Sequence, residues 1–289
     1  MTHAQSVPDD DDWPSSESRG GILNSEKIIT FCGIEEDNSI FIRGVAVSKY
    51  NEIFVANLRN KRIQVCSING TFLRFFPTVV PAVNQGEVMN PMDVAIDGNG
   101  NAWVVGTLIV SKRDRGFVVK YDREGLPELK SAYSLENKLH AGTVGVAYDA
   151  ANNKVIVAAD NDIYILSSYS SYDRTFQAMD FVLWVTSDSE GRIITTDPYS
   201  VQVYSHKGRP LSNFETFLQG GVCTDSLGRI IVADTNNNRV DMFTRRGKFV
   251  RTVVKVKQPL GIAVGPDGQL VVTRTNNKTV TIFPRHTVS

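Results

Sequence analysis

The sequence GVCTD at residues 221–225, LGRIIVAD at 227–234 and NNNRVDMF at 236–243 forms a unit that recurs along the chain. Clear further copies occupy residues 44–65 and 261–283. The copies begin at Gly44, Asp93, Gly145, Trp184, Gly221 and Gly261. They are therefore six in number and lie 37 to 52 residues apart. Self-similarity at such a spacing points to a repeat architecture.

Each copy contains short segments rich in β-branched residues that are separated by turn signals such as Asn69-Gly70, Glu124-Gly125 and Lys207-Gly208. No segment shows the apolar period of an amphipathic helix. Short antiparallel strands repeated at about 40 residues match the blades of a propeller, which have four strands each. We therefore predict an all-β fold: a six-bladed β-propeller of four-stranded antiparallel blades at residues 25–289.

The ends of the repeat region predict how the ring closes. The sixth copy ends after its third strand, at residues 279–283, whereas residues 26–31 (EKIITF) precede the first copy as an additional strand. This N-terminal strand is expected to complete the last blade, because closure removes the free edge of an open stack. Residues 1–24 contain the acidic run Asp9 to Asp12 and are predicted to be a disordered acidic leader. A short linear motif around Trp13 is the alternative.

Residues 233–240 (ADTNNNRV) resemble the core signature of the NHL repeat, and the whole pattern resembles the C-terminal propeller of tripartite-motif (TRIM) NHL proteins. The signature is weak in copies three and four, where residues 160–162 (DND) and 197–199 (DPY) replace the asparagine-rich loop. The resemblance implies a platform that binds RNA or protein and is often attached to RING and B-box modules with ubiquitin-ligase activity. Three cysteines and four histidines are too few to supply the zinc ligands of those modules.

The composition of the chain indicates which partners and which cellular compartment to expect. Basic and acidic residues number 31 each, so no net charge draws the chain towards nucleic acid or a membrane surface. Cys32, Cys66 and Cys223 are widely spaced and odd in number, which favours free thiols in a reducing compartment. A cytoplasmic location is therefore expected. No apolar run approaches the length of a transmembrane helix, so no membrane partner is expected.

The sequence offers little for catalysis. Six-bladed propellers that hydrolyse lactones or cleave amidated peptides resemble this architecture and gather metal ligands at the mouth of the central channel. Asp93 is the one carboxylate at the predicted entrances of the inner strands, and His140 is the one histidine near them. One carboxylate satisfies neither zinc nor a hard cation, and Cys223 is interpreted as a small filler of an inner strand. We predict no enzymatic activity, no cofactor and no small-molecule substrate; a metal-dependent hydrolase or lyase is the remote alternative.

A binding role is indicated by loop charges. The loops that connect strands d to a and b to c share one face of a propeller, here called the top face. Cations are concentrated on the top loops of blades six, one and two, whereas Asp160, Asp162, Asp180 and Asp197 lie on blades three and four. The candidate binding residues are Arg43, Arg59, Lys61, Lys112, Arg113, Arg115, Tyr199, Arg274, Asn276 and Lys278.

Two functional hypotheses remain open for these residues. The first is protein recognition, as a substrate-recognition or scaffold module of ubiquitin-ligase-type assemblies. The second is binding of single-stranded RNA for post-transcriptional regulation, with phosphates held by the cations and bases stacked on Tyr199. Neutral net charge favours the protein hypothesis, and a lone propeller is expected to be monomeric.

Four side chains have a structural interpretation beside a functional one. Arg62 and Arg239, which open the third strands of their copies, are expected to pair with the Asn57 loop and with Asp234. Trp184 replaces the usual glycine and is expected to plug the channel, with presentation to a ligand as the alternative. Phe117 is expected to pack between blades.

Overall fold

Six four-stranded antiparallel sheets form the blades of a β-propeller in the computed structural model, as the sequence predicts. The structure describes the following residues: 29–32, 41–81, 83, 86–110, 113–128, 133–135, 144–168, 171–216, 220–274 and 279–288. The predicted leader lies outside these ranges. In blades one to five the chain runs outwards from inner strand a through b and c to outer strand d. No helix formed by the described residues is long and apolar enough to cross a membrane.

The strands of each blade are given in chain order. Blade one contains β2 (Ile42–Val47), β3 (Glu52–Asn57), β4 (Arg62–Ser67) and β5 (Phe72–Pro77), followed by the small hairpin β6 (Val79–Val80) and β7 (Glu87–Val88). Blade two contains β8 (Asn90–Ile96), β9 (Ala102–Val110), β10 (Arg113–Tyr121) and β11 (Tyr133–Leu135). Blade three contains β12 (Val144–Asp149), β13 (Lys154–Ala159), β14 (Asp162–Ser167) and β15 (Tyr172–Gln177).

The second half follows the same plan. Blade four contains β16 (Trp184–Ser187), β17 (Ile193–Thr196), β18 (Ser200–Tyr204) and β19 (Pro210–Glu215). Blade five contains β20 (Val222–Thr224), β21 (Ile230–Asp234), β22 (Arg239–Phe243) and β23 (Phe249–Lys255). Blade six contains β24 (Pro259–Val264), β25 (Leu270–Arg274), β26 (Thr279–Phe283) and β1 (Ile29–Cys32), and a 3₁₀ turn at Arg285–Thr287 follows β26.

The ring closes through the N-terminal strand, and this confirms the prediction from the chain ends. Strand β1 pairs antiparallel with β26, so that Ile29 lies opposite Ile282 and Cys32 lies opposite Thr279. The described strand covers Ile29–Cys32, and residues 26–28 of the predicted segment lie outside the described residues. Because β26 would otherwise have a free outer edge, β1 supplies the fourth strand that the sixth copy lacks.

Apolar side chains of strands a, b and c form a separate cluster between each pair of neighbouring blades. The cluster between blades six and one, which includes Val55 and Val271, completes the circle of interfaces. Phe117 is buried in the cluster between blades one and two, as expected from the sequence. The β-branched residues of the repeat therefore face neighbouring blades on both sides of each sheet, which explains their near-continuous apolar runs.

A buried polar side chain holds the turn between strands a and b in the first five blades. These side chains are Ser48, Asp97, Asp149, Asp188 and Asp225. Asp225, for example, accepts hydrogen bonds from the backbone N–H groups of Leu227 at 3.0 Å and Arg229 at 2.8 Å. The turn then needs a left-handed residue before strand b, and Gly228 supplies it with φ of 71°. The recurring Asp and Gly of the sequence are thus turn residues.

Blade two departs from the other blades at the top face. Strands β9 and β10 have nine residues each and remain paired as far as Val110 and Arg113, so their hairpin extends beyond the top of the sheet. Arg113 and Arg115 belong to β10 and not to a loop as predicted, because the ladder of hydrogen bonds continues through them. Arg43 was also assigned to a loop and lies in β2.

Candidate functional site

The six inner strands surround a central channel with a volume of ≈ 280 Å³. Its wall contains residues from the inner strand of every blade, among them Val45, Asp93, Val146, Trp184, Cys223 and Ile262. Each inner strand begins at the top face and ends at the a–b turn, so the start of the strand marks the channel mouth. The chemistry of the mouth therefore depends on Arg43, Asp93 and Trp184.

Asp93 is a buried carboxylate that joins blade two to blade three. Its two oxygens accept hydrogen bonds from the backbone N–H groups of Val94 at 2.9 Å and Val146 at 3.0 Å. Burial raises the pKa of Asp93 to about 7, while the two hydrogen bonds and the positive charge of Arg43 oppose the rise. Both carboxylate oxygens therefore accept hydrogen bonds from the backbone, and the bond to Val146 connects blade two to blade three.

Arg43 and Trp184 meet across the mouth. The guanidinium carbon of Arg43 lies 5.7 Å from the ring centroid of Trp184, within the range of a cation–π interaction. Trp184 is 6% exposed, lines the channel and packs in the cluster between blades four and five. Burial lowers the pKa of Arg43 below its usual range, and Asp93 opposes this shift. The candidate residue Arg43 therefore lies at the channel mouth in contact with Trp184.

A catalytic metal centre finds no ligand set in the part of the chain that is described. No three His, Cys, Asp or Glu side chains among those residues are placed to hold a metal ion together. Cys223 is buried in the cluster between blades five and six, and burial raises its thiol pKa far above the usual range. His140 lies outside the described residues, so its place near the mouth stays a prediction.

The other candidate residues lie at several separate places of the top face. Arg59 and Lys61 are exposed in the b–c turn of blade one, and Lys61 adopts a left-handed backbone with φ of 49°. Arg115 is half-buried in β10, while Arg274 donates a hydrogen bond from Nε to the carbonyl oxygen of Lys257 at 3.0 Å. Lys112, Asn276 and Lys278 lie outside the described residues, and Arg113 is described here only by its place in β10.

Two structural arginines behave differently from each other. Arg239 binds Asp234 through Nε at 3.1 Å and also lies 2.9 Å from Asp241, as the sequence suggested for the first pair. Arg62 places its guanidinium 4.6 Å from the ring centroid of Phe75 on the neighbouring outer strand. The sequence did not predict this stacking, because it depends on cross-strand register. The pairing of Arg62 with the Asn57 loop stays a prediction.

Two of the carboxylates predicted on the acidic side of the top face, Asp162 and Asp197, accept hydrogen bonds within the propeller. Asp197 is buried and accepts hydrogen bonds from the backbone N–H groups of Tyr199 at 2.7 Å and Ser200 at 2.8 Å. Asp162 accepts a hydrogen bond from the hydroxyl of Tyr164 at 3.2 Å. These carboxylates serve the local turns and strands as well as the surface charge.

Large apolar side chains are exposed beside the charges of the top face. They are Phe41 before β2, Ile109 in the blade-two hairpin, Met179 in the loop after β15, and Tyr199 in the b–c turn of blade four. Ile109 is 64% and Tyr199 is 69% exposed. The sequence identified Tyr199 but missed the others, because Ile109 reads as an ordinary core residue of a strand until the length of the hairpin is known.

The fold and this face define a class of protein: a six-bladed propeller with a mixed apolar and charged face. The NHL repeat model matches residues 220–241, which form the a–b–c unit of blade five. Mouse NHL-repeat-containing protein 4 is 31% identical over 108 residues, which cover 35% of this chain and 79% of that protein. The human counterpart is 29% identical over 108 residues and is covered to 88%. The chain belongs to the NHL-repeat family.

Solved structures share the fold at low identity. A catalytically inactive virginiamycin B lyase from Staphylococcus aureus with quinupristin has a TM-score of 0.62 at 12% identity, over 90% of this chain and 89% of that one. A streptogramin B lyase matches with a TM-score of 0.62 at 11% identity, over 89% and 96% of the two chains. A protein of unknown function from Bacteroides thetaiotaomicron VPI-5482 has a TM-score of 0.66 at 11% identity, over 88% and 71%. At these identities the likeness concerns the fold alone.

Proposed function

We propose that this chain is a non-enzymatic platform that recognises a protein partner through the top face of the propeller. In this proposal it serves as a substrate-recognition or scaffold module of ubiquitin-ligase-type assemblies, similar to those of the TRIM-NHL proteins. The protein acts as a cytoplasmic monomer. The observation that carries the proposal is the exposure of Phe41, Ile109, Met179 and Tyr199 on that face.

The composition of the top face fits a protein interface. Protein–protein contact surfaces are enriched in aromatic residues, methionine and arginine, and their energy is concentrated in a few large side chains. Ile109 and Tyr199 supply such side chains, and Arg59 supplies an exposed guanidinium on the same face. An apolar group on a projecting hairpin also loses unfavourable exposure to water when a partner covers it.

Binding of single-stranded RNA is the second candidate function. Arg59 and Lys61 are exposed, and Tyr199 could stack on a base. Arg43, Arg62 and Arg274 contribute less to this alternative, because each already contacts a ring or a carbonyl oxygen of the propeller. The RNA hypothesis therefore rests on fewer cations than the sequence suggests.

A paired set of variants tests the protein hypothesis. The variant Ile109→Ser with Tyr199→Ser removes two exposed apolar side chains from the top face, whereas Leu126→Ser removes one from a c–d turn on the opposite face. We expect quantitative affinity capture to show a partner that the top-face variant loses and the Leu126→Ser control retains. A partner set without a RING-containing ligase subunit would remove the ubiquitin-ligase part of the proposal.

RNA binding and metal content are measured on the same purified proteins to test the two alternative functions. Binding of random-sequence single-stranded RNA at low salt, followed by fluorescence anisotropy and lost in Arg59→Glu with Lys61→Glu, would favour the RNA hypothesis over the protein one. Stoichiometric calcium or zinc in the purified protein would instead support the lyase-like or hydrolase-like alternative. We expect neither result.

A further inference from the structure

Several apolar residues of the outer strand of blade one are exposed, and so are Phe249 and Val250 on the outer strand of blade five. Leu73, Phe75 and Pro77 alternate along β5 and are all exposed, Leu73 at 44% and Phe75 at 53%. The same register in blade three holds Asp173, Thr175 and Gln177. Blade four has Leu211, Asn213 and Glu215 there. We call the set of Leu73, Phe75 and Pro77 the β5 strip.

Phe75 and Pro77 of the β5 strip face away from blade two. The alternate residues of the strand, Arg74 and Phe76, face blade two: Arg74 donates a hydrogen bond to the carbonyl oxygen of Arg123 at 3.0 Å. The Phe76 ring centroid lies 5.3 Å from that of Tyr121. Since side chains alternate across a strand, Phe75 and Pro77 are directed to the side of blade six, whereas the exposed Leu73 lies at the bulge of β5. The outer strand of blade six is β1, which has four residues.

Cations stand at the top end of the β5 strip. Arg62 stacks over Phe75, and Arg59 and Lys61 are exposed in the turn that precedes β4. The β5 strip thus places apolar side chains next to three cations. A peptide with an aromatic residue beside a run of carboxylates would be complementary to both parts. An exposed apolar outer strand without such cover is also a site of unwanted edge association.

The chain itself contains this complementary peptide. Residues 7–14 read VPDDDDWP, so Trp13 and two prolines flank Asp9 to Asp12. Fifteen residues lie between Trp13 and Ile29, a tether that spans up to ~50 Å when extended. Ile29 begins β1 at the bottom of blade six, which is the blade beside the β5 strip. A tether of this length gives the peptide a high effective concentration at the strip.

We propose that residues 7–14 dock on the β5 strip of the same molecule, with Trp13 against Leu73 and Phe75 and with Asp9 to Asp12 beside the three cations. The contact covers Leu73, Phe75 and Pro77, which are all exposed on this outer strand. It shares Arg59 and Lys61 with the top face proposed for partner binding, and its apolar part lies on the outer strand. Its charged part weakens at high salt, because exposed charges are screened within about 3 Å at 1 M.

Trp13 is a natural probe of this contact, since Trp103 and Trp184 are buried in the propeller. The difference between the emission spectra of the full-length protein and its Trp13→Phe variant isolates Trp13. We expect Trp13 to show blue-shifted emission and protection from acrylamide quenching. The variant Leu73→Asp with Phe75→Thr, which copies the blade-three residues, should abolish both effects. Replacing Asp9 to Asp12 by Asn should reduce both.

The matched control carries the same kind of change elsewhere: Leu211→Asp with Asn213→Thr in the equivalent positions of β19 should leave Trp13 protected. Emission of Trp103 and Trp184 in the Trp13→Phe background verifies that each variant folds. The proposal is overturned by solvent-like Trp13 emission in the unmodified protein, or by protection that survives the β5 change. Protection that appears only as protein concentration rises, with a dimer mass in light scattering, would assign the strip to a second copy and also overturn it.

Discussion

At the residue scale, Gly44 and Asp93 show how closely neighbouring inner strands approach each other. A Cβ atom at residue 44 would lie 2.0 Å from Oδ1 of Asp93 and 2.6 Å from its Cα atom. We expect Gly44→Ala to lower the free energy of unfolding by about 2–3 kcal/mol, because backbone must move to relieve the overlap. Urea denaturation measures the change. Gly98→Ala is the control, since its new Cβ would meet nothing nearer than 3.6 Å; an equal loss in both variants would contradict this explanation.

The pKa of Asp93 makes a second prediction at this scale. Its folded pKa of about 7 lies above the usual aspartate pKa of 3.8, so the folded state binds the proton more tightly than the unfolded state between these pH values. The stabilisation is full below about pH 4 and is lost as pH rises to about 7, at roughly 1.4 kcal/mol per pKa unit at most. Asp93→Asn removes this dependence and adds a constant loss, because one of two backbone N–H groups loses its acceptor.

Urea denaturation across this pH range checks the sign. The free-energy deficit of Asp93→Asn relative to the unmodified protein should be largest near pH 4 and should shrink towards pH 8. A deficit that stays constant or grows with pH would show that Asp93 is ionised in the folded protein at low pH.

At the scale of elements, outer-strand arginines connect each odd-numbered blade to the next blade. Arg74 donates to the carbonyl oxygen of Arg123 at 3.0 Å, Arg174 donates to that of His206, and Arg251 donates to that of Thr287 at 2.8 Å. Arg74 also forms a two-pronged pair with Glu52, at 2.7 and 3.3 Å. In blade three, Lys154 takes the place of Glu52 and pairs with Asp173.

This difference predicts unequal costs for the same substitution. We expect Arg74→Met to lower the free energy of unfolding by about 1–3 kcal/mol, because the carboxylate of Glu52 is left without its partner. Arg174→Met leaves no such carboxylate and should cost less. Thermal and urea denaturation of both variants, with Glu52→Gln added to Arg74→Met, measure the contrast. Recovery of part of the stability by Glu52→Gln is expected; equal costs in blades one and three would refute this account.

The elements differ in how far the sequence could predict them. Strands a, b and c followed from the repeat, since the β-branched runs recur in every copy and Gly and Asp recur at the same offsets in most of them. The extension of β9 and β10 did not follow, because the cations of the β10 start, such as Arg113, are unusual in a paired strand. The stacking of Arg62 on Phe75 depends on the register between β4 and β5, which the sequence of either strand alone does not set.

At the scale of the whole molecule, the fold was easier to predict than the site. Six copies and a returning N-terminal strand leave one closed arrangement, and the six clusters between blades confirm it. The candidate cations were read from loops one by one, yet Arg43 is directed to Trp184 and Arg274 to a carbonyl oxygen. The presence of a charged residue in the sequence shows neither the direction of its side chain nor its partner. A binding face can therefore be identified only when the three-dimensional structure is known.

Ring closure supplies the last prediction, which concerns truncation. Removing residues 1–32 deletes β1, exposes the outer edge of β26 and opens the seam beside the cluster of blades six and one. We expect a loss of several kcal/mol, hence a melting temperature lower by roughly 10 °C or more, at about 2–4 °C per kcal/mol for a chain of this size. Removing residues 1–20 keeps β1 and should change the melting temperature little, even though it also removes Trp13. Equal melting temperatures for the two truncated proteins, measured by calorimetry, would show that β1 does not hold the ring closed.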